Sequence, residues 1–131
     1  MTSRFDKWKY PLIEEFKLTE YYWLVKHKNN LNLGYKTDIG AFTFINAKNG
    51  ITIEDYVQIG SHCSLYSIST VDDKEGPIIL KTNCKIGSHS TIMPNVTVGA
   101  NSIIGAHSFV NKNVPANVMA FGTPIKIIKQ L

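Results

Sequence analysis

The stretch LKTNCKIGSHSTIMPNVTVGANSIIGAHSFVNKNV, Leu80 to Val114, repeats every six residues. An aliphatic side chain stands at Leu80, Ile86, Ile92, Val98, Ile104 and Val110. Four residues after each comes a small one: Cys84, Ser90, Val96, Ser102, Ser108 and Val114. Glycine follows the aliphatic residue directly at Gly87, Gly99 and Gly105, where the backbone must bend sharply. A helix repeats at 3.6 residues and a lone strand at two, so neither explains the period. A chain that turns a corner once per hexapeptide does, and that is a parallel β-helix.

Working outward, the frame extends upstream through Leu33, Ile39 and Ile45 and again through Ile53, Ile59 and Leu65. It slips twice. The step from Ile45 to Ile53 is eight, which places a bulge at Ala47 to Gly50. After Leu65 the frame resumes only at Leu80, so about nine residues are extra. The expected inserted loop, near residues 67–79, is a candidate wall of a functional site, because loops on a rigid repeat scaffold collect function. Roughly four coils make one short domain, residues 33–131, whose open end needs a cap. Residues 1–32 are expected to supply it as a helix, with Thr19 at its N-terminus and Tyr21, Tyr22, Leu24, Val25 and Lys28 along it. Trp8, Tyr10, Phe16 and Trp23 read as apolar packing.

The formal charge of +4 comes from dispersed lysines, without the arginine cluster and interleaved aromatics of a nucleic-acid groove. It suits a phosphate-bearing small ligand. With no signal peptide and no long apolar run, a soluble cytoplasmic protein without a membrane span is expected. Cys63 and Cys84 fall at small follower positions and read as buried free thiols.

The run Ile86-Gly87-Ser88-His89 to Val98-Gly99, then Ile104-Gly105-Ala106-His107-Ser108-Phe109-Val110, then Val114-Pro115-Ala116-Asn117 with Phe121-Gly122-Thr123-Pro124-Ile125-Lys126, resembles the C-terminal half of a hexapeptide-repeat acyltransferase. The likeness runs from Leu33 onward. It implies an all-β, left-handed parallel β-helix of eighteen-residue coils, a homotrimer with active sites in the clefts between subunits, and acetyl-coenzyme A as donor and co-substrate. Within the family the chain is most similar to small bacterial sugar and amino-sugar acetyltransferases acting on surface polysaccharides. By the same resemblance Gly105, Ala106, Gly122, Thr123, Pro124 and Lys126 line the coenzyme site, where Lys126 and Lys112 can meet its phosphates. As plain structure, Gly122 and Pro124 turn the chain out of the last coil.

Acetyl transfer needs a nucleophile, a base and donors at the developing oxyanion. Many O-acetylating members place a histidine just after the second-coil tyrosine. Here the chain reads Tyr66-Ser67-Ile68-Ser69-Thr70-Val71-Asp72, so that base is missing. His62, His89 and His107 each stand three residues after a repeat aliphatic, and Phe42 holds the same position one coil earlier. They are expected to form an outward column about 4.8 Å apart. His62 is the candidate base and His89 its alternative; a plain surface ladder is the structural alternative for each. Asn46 either orients the acceptor, as an Asn does at a comparable point in relatives, or belongs to a turn. Tyr66, Asp72 and Asp73 are candidate acceptor contacts, together with Glu75, or solvated loop groups.

Without the usual histidine, an amine acceptor is favoured over a hydroxyl, because a neutral amine already presents a lone pair. The expected activity is therefore N-acetylation of an amino sugar, possibly nucleotide-linked, with sugar O-acetylation as the alternative. A non-catalytic trimeric module and a γ-carbonic-anhydrase-like metal protein are the remaining classes. The latter needs converging imidazoles, and one-coil spacing aligns them without convergence, so no metal ligands are assigned.

Overall fold

The computed structural model describes residues 5–131, and the six-residue frame becomes its three faces. On the first face five parallel strands stack: Leu24–Lys26, Phe44–Asn46, Ser64–Tyr66, Thr91–Ile92 and Phe109–Val110. The second carries Leu31–Leu33, Ile51–Ile53, Ile78–Leu80 and Thr97–Val98, with Val114 bridging to Val98. The third carries Asp38–Ile39, Gln58–Ile59, Lys85–Ile86, Ile103–Ile104 and Val118–Phe121. Lys126–Gln130 then closes it antiparallel to Val118–Phe121. The fold is a left-handed parallel β-helix, as the repeat and the family resemblance imply.

Register puts like on like. Val25, Ile45, Leu65, Ile92 and Val110 are successive partners on the first face, and all five are fully buried. Leu33, Ile53, Leu80 and Val98 stack on the second. The small followers have a physical reason beyond space. Thr43 donates to the Gly60 carbonyl (3.1 Å), Cys63 to Gly87 (3.2 Å) and Ser90 to Gly105 (3.2 Å), so each buried follower satisfies a corner carbonyl of the next coil. No buried side-chain nitrogen or oxygen among the described residues lacks a partner.

Among the described residues the N-terminal segment does not form the expected helix. Thr19 does accept the Tyr21 N–H (3.2 Å), as a capping side chain would, but a turn follows and then the strand Leu24–Lys26, paired with Phe44–Asn46. Tyr22 lies at φ 67°, outside helical backbone, and Val25 is at 0% exposure inside the prism. Aromatic and β-branched residues in succession favour an edge on a pleated surface, and burial of Val25 decides for it. A short 3₁₀ turn, Lys28–Asn30, follows that strand. The first strand adds a fifth level to the first face beyond the roughly four coils the frame gave.

Capping is done by extended chain. Phe16 donates to the Val25 carbonyl (2.7 Å) and Thr19 to Trp23 (2.8 Å), while Trp23, 2% exposed, plugs the end of the core. The Glu15 carboxylate accepts the backbone N–H groups of Lys28 (2.9 Å) and His27 (2.7 Å), which hold it below the usual carboxylate range.

The inserted loop is a β-hairpin, Ile68–Ser69 against Lys74–Glu75. Ser67, expected in it, belongs to the coil: it is fully buried and its hydroxyl donates to the Asn46 carbonyl (2.6 Å). Ile78 and Leu80 are likewise buried core residues.

Close coil stacking makes a specific prediction. A Cβ at Gly60 would sit 2.6 Å from the Ser88 backbone nitrogen, so Gly60→Ala should force two coils apart and cost about 1–3 kcal/mol, read as a lower thermal midpoint.

Candidate functional site

Five levels share one corner, the turn from the third face into the first. There Tyr22, Phe42, His62, His89 and His107 all take left-handed backbone, with φ between 59° and 67°. Histidine tolerates that region better than β-branched residues do. The corner is a ladder of its own: Phe42 N–H donates to Tyr22, His62 to Ala41, His89 to Ser61 and His107 to Ser88. The side chains stack as the spacing predicts. Ring centroids are 4.8 Å apart for His62 and His89, inclined by 4°, and 5.0 Å for His89 and His107. Phe42 continues the column beneath His62 at 5.3 Å. All three imidazoles are exposed. They are parallel, so they present a row of nitrogen edges to solvent without converging on one point. Among the described residues no three His, Cys, Asp or Glu side chains are grouped as metal ligands.

Tyr66 and the hairpin stand at the other edge of the first face. The histidines precede its strands and the hairpin follows them, so a subunit does not bring His62 together with Asp72 or Asp73. Tyr66 packs edge-on against Phe44 (6.0 Å), which meets Phe16 (5.9 Å), making an aromatic wall on that face. Asp72 is held below the usual carboxylate range by the Ser69 hydroxyl, with Lys74 3.7 Å away, and so is ionised and braced within the hairpin. Asp73 occupies the hairpin turn at φ 56°. Asn46, in the strand below Tyr66, has its side-chain oxygen accepting the Lys48 N–H (3.3 Å), the turn-forming contact.

The residues assigned to coenzyme collect above His107. Thr123 donates its hydroxyl to the His107 carbonyl (3.1 Å), Gly122 donates its N–H to Ser108 Oγ (3.0 Å), and Gly105 donates to Ala120 (2.9 Å). Gly105 is also sterically required, since a Cβ there would lie 2.8 Å from Phe121 Cβ. Ala106 is exposed at the same corner. Pro124 and Lys126 are exposed beside it, Lys126 opposite Phe121 on the closing strand. Small residues thus fit a long thin ligand at the top of the histidine column. Lys112 is not in this group, because it follows Phe109–Val110 at the far edge of the first face.

Two bracing residues escaped the sequence reading. Ser69 fixes Asp72, and Asn95 donates to the Glu75 carbonyl (3.0 Å), tying the hairpin to the next coil. Nothing in the period marks them, since both contacts arise from the insertion. The cysteines are as expected: Cys63 and Cys84 are buried free thiols, burial raises both above the ordinary thiol value, and Cys84 is pushed up to about 12.

The bacterial transferase hexapeptide (six repeats) family matches residues 77–112. The galactoside O-acetyltransferase of Escherichia coli K12 is 49% identical over 55 residues, 42% of this chain and 27% of that protein. A hexapeptide-repeat acetyltransferase of Vibrio cholerae, VCA0836, solved with acetyl-coenzyme A, superposes at TM-score 0.77 with 28% identity, covering 83% of this chain and 64% of the other. A galactoside acetyltransferase solved with coenzyme A gives 0.77 at 29% identity, covering 90% and 64%. The chain spans under two thirds of each. In repeat, fold and relatives the chain is similar to the hexapeptide-repeat acyltransferases.

With both thiols buried and neutral, folded protein at pH 8 should not react with an aromatic disulfide reagent until denaturant is added. Between the ordinary thiol pKa of 9.0 and about 12, an unfolded chain releases the Cys84 proton while the folded chain keeps it. Stability should therefore be insensitive to this group below pH 9 and fall above it, by about 1.4 kcal/mol per pH unit. Urea midpoints of wild type and Cys84→Ala, compared from pH 8 to 10.5, check the sign.

Proposed function

We propose that the chain forms the catalytic β-helix of an acetyl-coenzyme A-dependent acetyltransferase that N-acetylates an amino sugar, nucleotide-linked, in the cytoplasmic synthesis of bacterial surface polysaccharide. The observation that carries the amine reading is the segment after Tyr66. It offers carboxylates and hydroxyls but no imidazole, and Asp72 there is ionised and fixed. An ammonium group would be drawn to such a site, and once neutral it attacks without prior removal of a proton. In the reaction the amine nitrogen bonds the thioester carbonyl carbon, the C–S bond breaks, and the nitrogen's surplus proton ends on the coenzyme A sulfur. His62 or His89 would carry that proton. Ala106 and the Gly122-Thr123-Pro124 element would hold the donor above them, with Lys126 toward its phosphates.

The separation of column and hairpin favours assembly as a homotrimer. The histidines of one subunit and the hairpin of the next would then face each other across a cleft, with Asn46 and Tyr66 on its wall. Sugar O-acetylation is the second reading, favoured by the 49% identity to the galactoside O-acetyltransferase segment.

Incubation with acetyl-coenzyme A and a panel of nucleotide-linked amino sugars and simple galactosides, with thiol release as readout, separates the two; consumption of hydroxyl acceptors alone sinks the amine reading. His62→Ala or His89→Ala should lower turnover by roughly 10²–10⁴-fold with coenzyme binding intact. Unchanged turnover in both variants removes the base assignment.

A further inference from the structure

The N-terminal segment does more than close the prism. Between it and the first coil lies a cavity of about 320 Å³, within the usual range for small-molecule sites. Its aromatic walls are Phe5, Trp8, Tyr21 and Trp23, and Lys7, Thr37 and Asp38 are its polar residues. Trp8 is fixed in place by edge-on contacts with Tyr10 (4.8 Å) and Tyr35 (6.1 Å), so one wall is preorganised. Tyr21 and Trp23 flank Tyr22, the lowest member of the corner that carries the histidines. The cavity therefore lies at the level of the foot of the column, whereas the proposed coenzyme residues sit at its head.

We infer that this cavity is a nucleobase site, holding the base of the nucleoside diphosphate to which the acceptor sugar is attached. Aromatic faces suit a flat heterocycle, which stacks on them whatever its sequence of substituents. Lys7, exposed on the lining, can meet an anionic phosphate. Tyr22 and His62 are two coils apart, about 10 Å along the corner. Ribose and two phosphates bridge such a distance, which would deliver the sugar to the first histidine. The donor's adenine is the competing occupant. The coenzyme element is two coils beyond His62, on the far side of the point where thioester and amine must meet, so the acceptor's base is the better fit. This inference rests on the acetyltransferase reading above.

Both tryptophans of the chain line the cavity, so intrinsic fluorescence reports on it directly. Uridine, thymidine and guanosine diphosphates should each be titrated, with pyrophosphate, ribose 5-phosphate and coenzyme A as controls. Saturable quenching by at least one nucleoside diphosphate, and by none of the three controls, is the expected result. Quenching by coenzyme A alone, or by no nucleotide at all, overturns it. By calorimetry, Trp8→Ala should weaken the nucleotide roughly tenfold while leaving coenzyme A affinity unchanged. Lys7→Ala, an exposed change that spares the fold, should weaken the diphosphate but not the free nucleoside. Nucleotide quenching without acetyl transfer to any amine would keep the site and remove the amino-sugar reading. Acetyl transfer to a nucleotide-linked amine without quenching would do the reverse.

Discussion

Everything in this molecule depends on one coil lying directly on another through parallel backbone hydrogen bonds. With levels about 4.8 Å apart, no side chain can be large at a corner unless it points out, and none can be unsatisfied if it points in. Thr43, Cys63 and Ser90 meet both demands by donating to the glycine carbonyls of the next coil. Gly60 meets the complementary one by leaving the Ser88 backbone room to approach. The aliphatic columns then fill the interior without further constraint, because each residue rests on one of its own kind.

The same stacking organises the surface. A corner that repeats its backbone repeats its side-chain direction, so a histidine on three successive coils becomes a stack of parallel rings. The proposed donor element closes on the top of that stack through Thr123 and the His107 carbonyl. The aromatic cavity lies at its foot. One edge of the prism thus runs from the proposed nucleotide cavity, past the candidate bases, to the proposed coenzyme end, with the acidic hairpin set apart across the first face.

Much of this was legible because the period is a register. Leu65 and Leu80 as core partners of successive faces, the two inward thiols and the histidine column all follow from counting in sixes. The first strand was not legible, and the reason is instructive. From Val25 to Leu33 the step is eight, the same slip that separates Ile45 from Ile53, so the frame continues into residues that local capping signals assign to a helix. Thr19 makes its capping contact regardless. Tertiary burial of Val25 overrides the local preference. The hairpin's bracing by Ser69 and Asn95 was beyond reach for a different reason: the insertion has no period, and its contacts depend on geometry that only folding creates. In the proposed trimer, how acceptor and donor meet would depend on neighbouring subunits, to which the repeat itself gives no address.

The hairpin also stands out from the prism that carries it, tied to the next coil beyond its neck by Asn95. Gly76 donates to the Ser67 carbonyl (2.9 Å), closing its base, while Ser67 and Ile78 remain in the coil ladders on either side. Chain enters and leaves through one pinched neck, so what lies beyond that neck can lengthen, shorten or change its charges without shifting a single rung. Such a socket lets a scaffold of this kind be refitted for a new acceptor by exchanging about ten residues, while the column that would serve the chemistry stays where the stacking put it.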